Sequence, residues 1–183
     1  MVVGEFFILW AKNLIIEFSY IAIFFISIIS TSTILIPFPI YGIIFFAAGL
    51  GLNPLAVGIV SGLGMATGEL TGYLVGLGGR SVIEKNRKKI PKFCKFLTNL
   101  FKKSYKIKIG KRVFSIEYAF WVLIFTSAIP FPFFDIFGIM SGVGSYDIKK
   151  FYLATIIGKI IKGLMIAYSG YLILPRIEAW LWS

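Results

Sequence analysis

The sequence predicts an all-α integral membrane protein: an inverted repeat of two re-entrant helical hairpins, about three transmembrane helices and an amphipathic cytoplasmic helix. Three observations carry this prediction. Hydrophobic residues make up 58% of the 183-residue chain and mean hydropathy is +0.88, far above the range of a soluble globular domain. Two apolar runs, "ILIPFPIYGIIFFAAGLG" at 34–51 and "SAIPFPFFDIFGIMSGVG" at 127–144, each hold Pro-x-Pro where a spanning helix would be continuous. Of the 19 Lys and Arg residues, 13 fall between Arg80 and Arg112 against the one acid Glu84, so this stretch carries +12. Lys- and Arg-rich loops stay in the cytoplasm, which places residues 80–112 inside.

Each element follows in order from these anchors. The chain begins "MVVGEFF", with an acid where a signal peptide would be basic, so the first apolar block is read as retained. Residues 18–30 are expected to span from inside to outside, with 5–17 at the inner interface. Residues 31–52 form the first hairpin, broken at Pro37-Phe38-Pro39 because Pro donates no backbone hydrogen bond and disfavours helix in the residue before it. Pro54 suits the first position of a helix, and the run from it to Gly79 is long enough to cross. Between Pro91 and Ser104, Phe93, Phe96, Leu97, Leu100 and Phe101 share one helical face, the pattern of a helix lying on an anionic leaflet. A strongly basic segment could instead bind nucleic acid, but one-sided aromatics favour the membrane.

Residues 117–144 are expected to form the second hairpin, turning at Pro130-Phe131-Pro132, because a crossing would export Lys149 and Lys150. Residues 148–174 then make the last span, with the N-terminus inside and the C-terminus outside. The whole is one membrane domain, 1–183, with repeat 1 at about 18–79, the basic loop at 80–112 and repeat 2 at about 114–175. The two hairpins align without a gap: residues 33–51 and 126–144 are identical at eight of nineteen positions, including the prolines, Gly49/Gly142 and Gly51/Gly144. Inserted from opposite faces, two such hairpins would bring their broken tips together near the midplane, the usual build of secondary transporters.

The chain has no His and one cysteine, Cys94, which leaves no zinc, disulfide or Cys-His chemistry. No enzyme activity and no cofactor are expected. Ionisable side chains within the membrane cost ~2.5 to 3.5 kcal/mol each and are functional candidates by default. Four qualify: Glu69, Asp135, Lys159 and Lys162. Glu69 and Lys159 lie ~15 and ~18 Å from the same face at 1.5 Å per residue, so they are able to meet. Glu69 reads either as a packing ion pair or as a titrating group that exchanges a proton against a lipid phosphate. Asp135 reads either as a helix cap or as a proton or cation site or a partner of Lys159 or Lys162. Gly64, Gly68, Gly72 and Gly76 form a stripe that permits close helix approach, static or sliding. Thr33, Thr126 and Ser127 flank the tips and offer hydroxyls to a headgroup or to their own helix backbone.

The duplicated Pro-x-Pro hairpins, the span "GLGMATGELTGYLVGLGG" and the run "YDIKKFYLATIIGKIIKGLMIAYSGYL" resemble the DedA/VTT family, also called SNARE-associated Golgi-type membrane proteins, in a divergent prokaryotic branch. The resemblance covers roughly residues 30–173. It implies movement of lipids across membranes: polyprenyl-phosphate recycling or phospholipid scrambling, in some members dependent on a proton gradient. Many bacterial members carry an Arg pair in the second hairpin; this chain has none there, and Asp135 stands near the place of the second Arg. The resemblance therefore implies a translocator of an anionic lipid in a prokaryotic plasma membrane. The alternatives are an ion- or proton-coupled transporter of a small solute and a non-transporting assembly factor. Expected partners are membrane lipids with anionic headgroups and a second copy of the chain, and no nucleic acid.

Overall fold

Asn53 and Asp147 each stand just ahead of a long apolar run, and each caps the helix that follows. In the computed structural model, which describes residues 19–32, 40–85, 105–109, 112–116, 118–130 and 136–181, Asn53 Oδ1 accepts from the Leu55 and Ala56 N–H groups at 2.9 and 3.3 Å. Asp147 Oδ1 accepts in the same way from the Lys149 and Lys150 N–H groups, both at 3.0 Å. Such caps satisfy the N–H groups that a helix start leaves open.

The elements in chain order are α1 (Ser19–Ser32), α2 (Ile40–Gly49), α3 (Pro54–Lys85), β1 (Tyr105–Ile109), β2 (Arg112–Ile116), α4 (Tyr118–Ala128), α5 (Ile136–Val143) and α6 (Ile148–Leu181). Two stretches, Pro54–Arg80 in α3 and Ile148–Ile177 in α6, are long and apolar enough to cross a membrane. Large apolar side chains remain on the outside, with Trp121 and Phe125 at 64% and 70% exposure, as a lipid-facing surface requires and water would not tolerate. The protein is an integral membrane protein.

α3 and α6 run antiparallel: Gly58 meets Leu164, Gly62 meets Ile160, and Tyr73 stacks on Phe151 at 4.9 Å. A Cβ on Gly58 or Gly62 would stand 2.8 or 2.6 Å from a backbone Cα of α6, so the crossing depends on glycine. The short helices divide between the two long ones. α1 runs alongside α3 in the same direction, with Phe24 at Gly64 and Ile28 at Gly68, while α4 runs alongside α6, with Ile124 and Ser127 at Gly158. The returning helices cross over: α2 lies on α6, Phe45 at Gly170, and α5 lies on α3, Ile139 at Gly76. The Tyr20 hydroxyl accepts from the Asn53 N–H at 3.0 Å, so the two ends of the α1–α2 pair meet at the N-terminal end of α3. At the opposite end of the bundle, Tyr146 and Ser145, which follow α5, bond to Tyr73 and Arg80 of α3.

The described part of α1, Ser19–Ser32, falls on the stretch expected to span at 18–30 and lies against α3. Residues 1–18, and the amphipathic helix expected at 91–104, lie outside the described residues.

The repeat is visible in the backbone, in a different register from the one expected. Leu52 N–H bonds to Ala47 O and Gly51 N–H to Ala48 O; Tyr146 N–H bonds to Ser141 O and Ser145 N–H to Gly142 O. Both are Schellman-type ends, with Gly51 at φ 109° and Ser145 at φ 53°. Return arms, turns and long helices thus correspond 94 positions apart, as in Gly51/Ser145, Asn53/Asp147 and Gly76/Gly170. The entering arms correspond 100 positions apart, since Ser27 faces Gly64 as Ser127 faces Gly158. The gapless alignment at Gly49/Gly142 and Gly51/Gly144 is one residue out of register, and one residue turns a helix by ~100°.

The basic stretch holds an antiparallel two-stranded ladder, β1 with β2, pairing Tyr105 with Ile116 and Ile109 with Arg112. The sequence reading named no strand. The signal was present in the alternating "YKIKI" and the two-residue spacer Gly110-Lys111.

Candidate functional site

Glu69 sits mid-way along α3 on the side that α6 covers. Its Oε2 lies 2.8 Å from Lys159 Nζ, with the two side chains 6% and 1% exposed. Three residues on, and so on the same face of α6, Lys162 is wholly buried, its Nζ 5.6 Å from the centroid of the Tyr41 ring. Tyr41 is the second residue of α2, just past the first break in the helix pairs. On the other side Gly138, in the first turn of α5, makes room for the carboxylate: a Cβ there would stand 3.2 Å from Glu69 Cγ and 3.3 Å from Oε1. The pair is thus enclosed by both long helices and by the first turns of both returning arms.

Glu69, Lys159 and Lys162 are the acidic and basic side chains buried among the described residues. Charges without water hold only when paired and hydrogen-bonded, and the three side chains together bring two ammonium groups and one carboxylate into the interior. A further polar contact between the two long helices joins Thr67 Oγ1 and Tyr152 OH at 3.2 Å.

The other expected site residues divide. Asp135, Pro37, Pro39, Pro132 and Thr33 lie outside the described residues. Pro130 is exposed and follows the end of α4 at Ala128, where a proline stops a helix. Thr126 gives its hydroxyl to its own helix, 2.7 Å from Val122 O, and Ser127 is buried beneath Gly158. The glycine stripe serves two partners: Gly64 and Gly68 receive α1, Gly76 receives α5, and Gly72 has only an ordinary contact with Ile139. Sequence reasoning missed Tyr41, Gly138 and the glycines Gly58, Gly62 and Gly163 that bring α3 and α6 together. Gly58 and Gly62 are also four residues apart but two residues out of phase with that stripe, so they mark a second close-packing face of α3 that the same spacing could have found.

Among the described residues no group of three or more His, Cys, Asp or Glu side chains could hold a metal ion. Compared with known families, the model of the VTT domain matches residues 36–172, three quarters of the chain. The chain belongs to the DedA/VTT family. The matched region takes in α2 to α5 and α6 as far as residue 172, and contains Glu69, Lys159 and Lys162. No curated protein and no solved structure matches it. A DedA/VTT protein belongs to a class associated with membrane lipid handling and not known to be catalytic.

Proposed function

We propose that this DedA/VTT protein translocates an anionic lipid, a polyprenyl phosphate or a phospholipid, across the bilayer through the buried charged site. The single observation that carries the reading is the Glu69–Lys159 pair, with Lys162 one turn further, enclosed between the two long helices, with Tyr41 of α2 over Lys162 and Gly138 of α5 beside Glu69. Two lysines are suited to a phosphate, and Glu69 is suited to exchange a proton for it.

In this reading the helix pairs α1–α2 and α4–α5 are re-entrant hairpins inserted from opposite faces. The geometry supports it, since each pair has its two ends at one end of the bundle and the two pairs open at opposite ends. Residues 80–112 then lie in the cytoplasm of a prokaryotic cell, by their charge, and the C-terminus lies outside.

The test is reconstitution of the purified protein in liposomes with fluorescent phospholipid or labelled polyprenyl phosphate, with and without a pH gradient. Lipid movement that is lost in a folded Glu69→Gln variant is the expected result. Full activity of that variant overturns the role of Glu69. Movement of no lipid under either condition overturns the function and leaves a small solute or an assembly role.

A further inference from the structure

The β1–β2 ladder lies outside the helices that hold the charged site, and its register sorts its residues by chemistry. Opposite residues of an antiparallel ladder share a face, and successive residues along a strand change face. Tyr105 with Ile116 and Ile107 with Phe114 therefore belong to one face, which Ile109 and Arg112 extend to the turn. Lys106 with Ser115 and Lys108 with Val113 belong to the other. One face is thus apolar and aromatic up to its last pair, and residues 105–116 hold four basic residues and no acid. The sheet has two strands, and a two-stranded ladder is marginal in water unless its apolar face is covered.

The chain connection points to what covers it. β2 ends at Ile116 and α4 starts at Tyr118, two residues on and so within ~7 Å. Ala119 and Phe151 share one buried cluster, so α4 enters the bundle at the end where Lys149 and Lys150 are exposed. The first turn of α4 leaves Tyr118 and Trp121 exposed, and Tyr and Trp are enriched where a membrane helix crosses the headgroup level. The ladder is tethered there. From Arg80 to Glu117 the chain carries 13 basic residues against two acids, the complement of an anionic surface. Nucleic acid would engage the basic residues and leave the apolar face uncovered, whereas an anionic bilayer surface fits both.

We propose that the β1–β2 ladder docks on the anionic lipid surface at the membrane end of α4, with the face of Tyr105, Ile107, Phe114 and Ile116 at the boundary of headgroups and acyl chains. Lys106 and Lys108 on the other face then remain within a Debye length of the headgroup charge, ~8 Å at physiological ionic strength. Docking orders a ladder that water alone would leave marginal, and so ties its order to the charge of the leaflet. The inference does not depend on which lipid or solute the protein moves.

The experiment uses the full wild-type chain in nanodiscs of phosphatidylcholine alone and of phosphatidylcholine mixed with phosphatidylglycerol. Amide hydrogen exchange of residues 105–116 is expected to slow at least about tenfold in the anionic discs, as two lysines near an anionic surface allow, and to recover at high salt. Lys106→Gln with Lys108→Gln is expected to remove most of that slowing. Spin labels at Ile107→Cys and Ser115→Cys, each in a Cys94→Ser background, give a second reading: the label at 107 should meet dissolved oxygen, and the label at 115 a water-soluble nickel chelate. Equal exchange in the two discs, or labels equally open to the chelate, overturns the inference. Protection alike in both discs and unmoved by the double glutamine variant means that this chain itself covers the face, and slowing that appears only on adding a nucleic acid assigns the surface to that partner. Either result overturns the inference too.

Discussion

At equivalent places the first long helix carries Met65, Gly68 and Glu69, and the second carries Lys159, Lys162 and Gly163. The backbone around them is the same: a side-chain cap, a left-handed residue before it, an entering arm of the same repeat on one side and a returning arm of the other repeat on the other. The ends of the bundle differ as well. Where the turn after α5 meets α3, the Tyr73 hydroxyl donates to Tyr146 O at 2.6 Å, and its ring stacks on Phe151. The equivalent contacts at the other end involve Ala167, Leu52 and Val57, which are apolar only. The corresponding backbones thus set where helices lie, and side chains without a counterpart set the charge of the site and how each end is held, by Tyr73 with Tyr146 at one and by Tyr20 with Asn53 at the other.

The largest effect is expected from breaking the ion pair on one side. Lys159→Met copies Met65 into the second repeat and strands a buried carboxylate, at a cost of about 3–5 kcal/mol. The double variant Lys159→Met with Glu69→Met should recover most of that loss, read as the unfolding midpoint in detergent; a double variant as unstable as the single one would show that the scaffold needs the charges. Next come the arm-seating glycines. Gly76→Ala and Gly170→Ala each drive a methyl into a backbone carbonyl and should cost about 1–3 kcal/mol. Equal losses in the two repeats would sharpen the 94-residue correspondence, while Gly78→Ala, with nothing within 4 Å, should instead gain up to about 1 kcal/mol of helix propensity.

A smaller loss, of about 1–2 kcal/mol, is expected for Tyr73→Phe, which leaves the buried Tyr146 carbonyl without its donor. The change should raise hydrogen exchange at the α5–α6 turn and leave the α2–α3 turn unaffected. The smallest expected effect is at the left-handed positions. Gly51→Ser should cost about 1 kcal/mol because φ 109° suits glycine, while Ser145→Gly should gain less than that because the Arg80 contact is lost. Thermal midpoints of the two variants, compared directly, check the sign of each.

Much of the membrane character was legible in the sequence, since charge and apolar length act over whole segments. The caps at Asn53 and Asp147 follow from local chemistry, and Pro54 at the first position of α3 was read correctly. Glu69, Lys159 and Lys162 stood out because charge in apolar sequence is costly wherever the chain goes. The packing partners of the short helices were not legible, because apolar length says nothing of which helix lies against which. The register of the repeat was misread for a related reason: matching prolines and glycines in residue identity says nothing of which ones face a partner helix.

By itself the sequence determined that the chain enters a bilayer, that residues 80–112 carry the positive charge, and that a few ionisable groups are embedded in apolar helix. Only the tertiary structure decided that Glu69 meets Lys159, that Tyr41 and Gly138 close around them, and that each returning arm crosses to the other repeat's long helix. Burial cost belongs to a residue and its neighbours along the chain. Pairing belongs to helix crossings, which depend on which glycines let which backbones touch.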